Sequence, residues 1–254
     1  MGQYLGRSQE LTTMTSDHWF ESIADHLGSA YLRYSFTKGT VQEVDRVIEW
    51  LGLSAGMQVL DVGCGPGRHA HELAKRGIRT HGIDISQTFV DLARATAPDG
   101  ATFERMDARA MAFSGSFDAA ICLCQGAFGL MTANGHDAEV LAGISRALKP
   151  GAGLALSAFN SYFAVKYHEE AVFDADLGVS HEKTEVRDPN GASKTVDLWT
   201  GCYTPRELRL MLRDAHFEVK NIFSVEPGKY APNPPTVESP EYLVVAFTPL
   251  PNGK

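Results

Sequence analysis

VLDVGCGPGRHA, residues 59–70, begins as an apolar, β-branched run with one acid in it, passes three glycines in five positions and ends in residues that suit a helix. A strand–turn–helix of this kind brings bare backbone close to whatever lies above the sheet, because glycine has no Cβ and accepts positive φ. A dinucleotide-binding turn follows G-x-G-x-x-G, its third glycine lying inside the helix. Counting from Gly63 gives Gly65 and then Arg68 in that third place, while Gly67 comes one residue early, so the pattern is G-x-G-x-G. Asp61 stands two residues before the first glycine, and Pro66 presets the backbone for the helix. Arg68 argues against a dinucleotide; a nucleoside, or no ligand, stays open at this point.

Outward from the turn, strands alternate with helices. The spacing predicts strands at 57–62, 78–84, 101–107, 117–124 and 152–160, with helices at about 66–76, from near 86 and at 137–148. Such βαβ units imply right-handed crossovers and a mainly parallel sheet. After a capped helix, TPRELRLMLRDAHF, strands six (EVKNIFSV) and seven (EYLVVAFTP) follow each other without a helix, so at least one runs antiparallel. The expected fold is α/β: a Rossmann-like, seven-stranded, mainly parallel sheet with helices on both faces, an N-terminal helical cap and a β-hairpin insertion after strand five.

The domain reading assigns 15–53 to the cap, 54–160 and 204–249 to the core, and 161–203 to a flap, with 1–14 expected to be disordered. Ser16 is the N-cap candidate of the first helix, and the second, from about Thr40, is expected to bury Val41, Val44, Val47, Ile48 and Leu51. Within the flap, alternating strands flank DPNG, a hairpin signal. Two strands alone are not stable in water, so the flap must rest on something.

Composition narrows the functions. A formal net charge of -8 argues against a phosphate-rich partner such as DNA or RNA. No run reaches the roughly 20 apolar residues that span a bilayer, and residues 1–17 lack a secretory core, so no membrane partner and a cytoplasmic location are expected. Cys64, Cys122, Cys124 and Cys202 form no paired-knuckle pattern, so they are expected to be small core thiols and no metal is expected.

VLDVGCGPG, HGIDIS (81–86), ERMDA (104–108) and LKPGAGL (148–154) together resemble the class I S-adenosylmethionine-dependent methyltransferases of the bacterial small-molecule type, over roughly residues 41–249. The resemblance implies S-adenosyl-L-methionine as cofactor and S-adenosyl-L-homocysteine as product. It implies that Gly63 and Gly65 contact the cofactor and that Asp61 lies near its ammonium group. Asp84 would take the ribose hydroxyls, Asp107 and the Ala108 N–H the adenine edge, and Ile85 one adenine face. Asp84 also stands where it can cap the helix beginning near Ser86.

The acceptor is harder to read. After strand four the chain has Cys-Leu-Cys-Gln-Gly rather than the NPPY of many nucleic-acid and side-chain amide methyltransferases, which again favours a small-molecule acceptor. Catalytic candidates are His168, Tyr203 and Gln125. Asn160 and Tyr162 are pocket candidates, and Tyr31, Tyr34 and Phe36 could close over the cofactor, with Tyr31 counted among its ligands. For each aromatic, core packing is an equal alternative. Arg68 and His69 are expected on the solvated surface, and His18 on the polar side of its helix. A cofactor-binding member without catalysis, or a peptide or protein methyltransferase, are the alternatives; the oligomeric state is left open.

Overall fold

The computed structural model describes residues 18–130 and 136–251. The segment 1–14 and Ser16 lie outside these residues. Helices α1 (Trp19–Leu27) and α2 (Thr40–Leu51) lead into β1 (Gln58–Val62), α3 (Arg68–Lys75), β2 (Arg79–Asp84), α4 (Gln87–Ala95) and β3 (Ala101–Arg105). Then come β4 (Phe117–Cys122), α5 (Asp137–Ala147), β5 (Leu148–Asn160) and α6 (Ser161–Tyr167). The chain continues through β6 (Val172–Asp174), β7 (Val179–Arg187), β8 (Ser193–Tyr203), α7 (Pro205–Asp214), β9 (Glu218–Glu226), β10 (Lys229–Asn233) and β11 (Glu241–Phe247).

The main sheet runs β10-β9-β11-β5-β4-β1-β2-β3. From β3 to β5 all pairings are parallel, and β11 is antiparallel to both β5 and β9. All seven expected strands are present, and β10 adds an edge strand between the sixth and seventh. One sheet face packs Val59, Ala119, Ile121 and Leu243 against Val44, Val47 and Leu73 of α2 and α3. The other packs Leu60, Leu154 and Leu156 against Val140 and Ile144 of α5 and Leu208 and Leu212 of α7. Buried on both faces, the central strands are mostly apolar in their interiors, as parallel sheets favour, with Asp61 and Asp84 towards their carboxyl ends.

Local differences have local causes. Helix α3 begins at Arg68 rather than near Pro66, because Gly67 still holds a left-handed turn, φ 81°. Strand β3 stops at Arg105, and Asp107 instead caps a 3-10 turn over Ala108–Ala110, its side chain accepting the Arg109 N–H. Val41, expected in the core, is exposed at the start of α2. The insertion is more than a two-stranded flap: it opens with α6, and β6 pairs with β7 beside the β7–β8 hairpin.

That hairpin rests on α1. Val186 and Val196 pack with Ile23, Ala24, Leu27 and Phe89. Its tip is fastened by the Arg33 Nη2 donating to the Pro189 carbonyl at 3.0 Å and by the His26 ring against the Ala192 carbonyl at 3.2 Å. No helix among the described residues is long and apolar enough to cross a membrane.

Candidate active site

Strand β1 carries Asp61 to the carboxyl edge of the sheet. It is 1% exposed, and its Oδ2 has no hydrogen-bond partner among the described residues. Burial raises its pKa to about 7 against the pull of Arg68. The three glycines that follow all have positive φ, yet they serve different purposes. A Cβ on Gly63 would lie 2.2 Å from the Gly126 backbone, because the loop after β4 crosses it there. One on Gly67 would lie 2.9 Å from His71 and Phe103, which close on the helix start. On Gly65 the nearest atom would be the Tyr31 ring at 3.8 Å. Of the three, Gly65 is the one that presents bare backbone to open space.

Asp84 ends β2 and organises this turn. Its Oδ2 accepts the Gly65 N–H and its Oδ1 the Ser86 N–H, each at 2.8 Å. Burial raises its pKa to about 6, and those two bonds hold it from going higher. The N-cap of α4 is Ser86 rather than Asp84; Asp84 holds the Ser86 N–H and also lines a cavity. The cavity has apolar walls, among them Ile85, Met106, Ala108, Leu130 and Val140, with Asp84 and Asp107 as its acids and Gly63 and Gly126 on its floor. Asp107 is gripped by Arg109, whose Nε lies 2.9 and 3.0 Å from its two oxygens. Burial would raise this carboxyl, but the Arg109 hydrogen bonds outweigh it and keep it low.

His18 lines the same cavity, contrary to its expected place on the polar helix face. It is the N-cap of α1: its Nδ1 accepts the Phe20 N–H at 3.2 Å, and Glu21 reaches back to the His18 N–H at 3.1 Å. The His-x-x-Glu spacing carries that capping box in the sequence.

Residues 59–151 match a family described as a methyltransferase domain. The chain is 39% identical over 123 residues to the S-adenosyl-L-methionine-dependent Diels-Alderase iccD of Talaromyces variabilis, covering 44% of this chain and 39% of that protein. It is 28% identical over 207 residues to the cypemycin N-terminal methyltransferase of a Streptomyces species, covering 75% and 82%. The solved CcbJ methyltransferase from Streptomyces caelestis matches with a TM-score of 0.74 at 18% identity, over 93% of this chain and all of that one, and shows the same fold. The chain thus carries a methyltransferase domain over residues 59–151, within the fold of the class I S-adenosylmethionine-dependent methyltransferases. S-Adenosyl-L-methionine is its cofactor.

The remaining candidates of this methyltransferase fall into two groups. Tyr31 and Gln125 lie beside the turn, Tyr31 over Gly65 and Gln125 just before the Gly126 that crosses Gly63. Tyr34 and Phe36 stack on each other, 5.8 Å between centroids, and Phe36 meets Tyr31 edge-on. Tyr203 is a buried core residue, stacked on Phe128 with ring centroids 4.7 Å apart. Asn160 is fully buried and structural, its Nδ2 donating to the Thr236 and Ser239 carbonyls and its Oδ1 capping α6. His168 is exposed at the C-cap of α6, its ring edge-on to Phe163, and Tyr162 is exposed too; as a catalytic candidate His168 is corrected to a surface position.

Of Arg68 and His69, both expected on the surface, His69 is buried and the Arg68 side chain is only 8% exposed. Glu43 of α2, 0% exposed, takes the Arg68 Nη1 at 2.5 Å and the His69 Nε2 at 2.8 Å, and its other oxygen accepts the Gly228 N–H at 2.7 Å. For Glu43 burial works upward, but the bonds from His69 and Arg68 prevail and hold it at about 2. Burial and the Arg68 charge lower His69 to about 4. Donor atoms of Glu43, His69 and Cys124 lie within 4.8 Å of one another. The guanidinium occupies that space, with its Nη2 2.6 Å from the Cys124 Sγ, so a metal cation there would face a fixed positive charge. Cys64, Cys122 and Cys202 are buried, and Cys124 is half-buried.

Proposed function

We propose that the protein moves the methyl group of S-adenosyl-L-methionine to a small-molecule acceptor, at an N, O or C nucleophile, releasing S-adenosyl-L-homocysteine. One observation carries this reading: an apolar cavity lined by Asp84, Asp107 and Gly63 lies two residues along the turn from a buried Asp61 whose Oδ2 lacks a partner among the described residues. The cavity suits an adenosine, with Ile85 and Ala108 against the base, Asp107 at its amino group and Asp84 at two ribose hydroxyls. Asp61 suits the ammonium of the methionine part, with Gly65 and Tyr31 enclosing it.

When bound, the cofactor supplies a methyl group on a cationic sulfur, which is already a good leaving group. The chain's own task is then to hold an acceptor in line and to keep water out. Helix α1 and the β7–β8 hairpin suit the second task, since they pack on each other and α1 reaches the cavity through His18 and Phe20. In this reading residues 15–53 are a cap and 161–203 a lid. A net charge of -8 and the Cys-Leu-Cys-Gln-Gly after β4 favour a small acceptor over nucleic acid. A cytoplasmic location belongs to the same reading.

A second reading rests on the similarity to a protein named for a Diels-Alder reaction: a cofactor-dependent protein of this fold without methyl transfer. Thermal unfolding with S-adenosyl-L-homocysteine or NADH, followed by label transfer from methyl-labelled cofactor to a metabolite panel, separates the possibilities. Stabilisation by the homocysteine product and label on an acceptor are expected. Stabilisation by NADH alone would overturn the proposal, and cofactor binding without label in any acceptor would favour the second reading.

A further inference from the structure

Outside the adenosine cavity, a second group of buried polar ends gathers at the same sheet edge. Gln125 follows β4, Tyr230 lies on β10, and Glu241 opens β11 opposite Phe159 of β5. They are 4%, 1% and 5% exposed. Gln125 Nε2, the Tyr230 hydroxyl and Glu241 Oε2 have no hydrogen-bond partner among the described residues. The three are neighbours: the Gln125 amide faces the Glu241 carboxyl, and the Tyr230 hydroxyl lies in the field of Cys124, Glu43 and Glu241.

Leaving a buried polar atom unpaired is costly, and native cores rarely do so. Here three such atoms lie together, and the chain bears backbone strain next to them. Cys124 and Gln125 are consecutive non-glycine residues at φ 52° and 53°. Strain at such positions collects where a ligand is held. The Gln125 N–H is spent on Ser157 Oγ at 3.3 Å, so only its side chain is left to act. The next residue, Gly126, lies against Gly63 of the cofactor turn.

Charge then specifies the ligand. Four buried carboxyls, Glu43, Asp61, Asp84 and Glu241, stand near one buried guanidinium, Arg68. Arg68 answers Glu43. The cofactor's ammonium and ribose answer Asp61 and Asp84. Among the described residues no ion pair engages Glu241, and the Gln125 amide is the neutral group set against it.

We propose that Glu241, Gln125 and Tyr230 form the acceptor subsite, and that the acceptor is an amine with a neighbouring hydroxyl or carbonyl oxygen. This rests on the methyl-transfer reading and narrows it. Glu241 Oε2 receives the ammonium, Gln125 Nε2 donates to the neighbouring oxygen, and the Tyr230 hydroxyl completes the shell. An ammonium has no lone pair, so it first gives one proton to the Glu241 carboxylate. The freed nitrogen pair then forms the N–C bond as the C–S bond breaks, with that bond's electrons staying on sulfur. The product leaves as a methylated ammonium, and Glu241 returns its proton to solvent. Burial raises the Glu241 carboxyl to about 7, which suits a base working near neutral pH.

The test uses the full chain saturated with S-adenosyl-L-homocysteine, and a panel of 2-amino alcohols and amino-acid amides beside their matched hydroxy analogues. Thermal shift reads binding, and mass spectrometry reads methylation when S-adenosyl-L-methionine replaces the product. The amines should bind and gain a methyl on nitrogen, and the hydroxy analogues should not. Glu241→Gln should lower kcat/KM for the amine by about a hundredfold and flatten the acidic side of its pH profile. Its affinity for S-adenosyl-L-homocysteine should stay within about threefold. Gln125→Ala should act mainly on KM. Equal response to the hydroxy analogues, or no response to amines while the product still binds, would overturn the amine subsite and leave the cofactor reading standing. Failure of the product to bind would overturn both. The wild-type contrast between amine and hydroxy analogue decides the case even where a variant does not fold.

Discussion

The two sides of the cofactor turn are built differently. On the side proposed for the adenosine each acid is already engaged: Asp84 by the Gly65 and Ser86 amides, Asp107 by Arg109. On the other side Asp61, Gln125, Tyr230 and Glu241 are as deeply buried, yet each keeps a polar atom without a partner among the described residues. The first side is set in place by the fold alone. The second carries the proposed acceptor subsite, and the Glu43–Arg68–His69 cluster is the fixed wall beside it.

That wall gives the largest expected effect. Glu43→Gln leaves the Arg68 guanidinium buried without its counter-charge, which costs about 3–5 kcal/mol. Chemical denaturation should show this loss, with weaker cofactor binding as a consequence of a displaced α3. A change under about 1 kcal/mol would mean that Arg68 finds another partner and that the wall is not fixed.

Next come the glycines, which divide the turn itself. Gly63→Ala meets both the Gly126 backbone and a φ of 71°, so a loss of about 3 kcal/mol in stability is expected. Gly65→Ala meets open space and should lose about 1 kcal/mol from its φ alone, while affinity for S-adenosyl-L-homocysteine falls at least about tenfold. Denaturation and calorimetry on the same two variants should therefore rank them in opposite order. The same ranking in both assays would break the distinction.

These differences also explain what the sequence disclosed. The proposed adenosine side is written in short contiguous stretches, each at a strand end: Gly63 to Gly67, Asp84 with Ile85, Asp107 with Ala108. Their meaning survives without knowing which elements pack together. Arg68 and His69 read as surface because only the packing of α2 on α3 brings Glu43 over them. Gln125, Tyr230 and Glu241 are more than a hundred residues apart at their widest, and they meet through the order β10-β9-β11-β5-β4, which includes an edge strand the pattern did not reveal. His168 drew notice as a histidine following strand five, but α6 carries it out to solvent.

Protonation should separate the regions with opposite signs. Asp61 and Asp84 titrate at about 7 and about 6, above the usual carboxyl value, so the stability they contribute is present at low pH and lost as pH rises through those values. A cation bound at Asp61 needs the carboxylate, so affinity for S-adenosyl-L-homocysteine should rise about tenfold from pH 6 to pH 8. Glu43 and His69, held at about 2 and about 4, act the other way. Their contribution is present above about pH 6.5, falls as His69 takes a proton toward pH 4, and is lost as Glu43 follows toward pH 2. Thermal unfolding with and without the product over this range should show the ligand-induced shift growing with pH, while the free protein weakens only below about pH 4, where His69 and then Glu43 take protons. A pH-independent shift would mean that Asp61 does not meet the ammonium.

The smallest effect is expected at the residue that once stood among the catalytic candidates. His168 caps the C-terminal end of α6 in solvent, and its ring meets Phe163 edge-on with centroids 5.6 Å apart. No element places it beside the turn or beside Glu241. His168→Ala should change stability by less than about 0.5 kcal/mol, as surface substitutions do, and should leave turnover and its pH profile unaltered. Loss of the acidic side of that profile in this variant, with Glu241→Gln silent, would move the base from the buried subsite to the lid and reverse the roles given to the two sides of the turn.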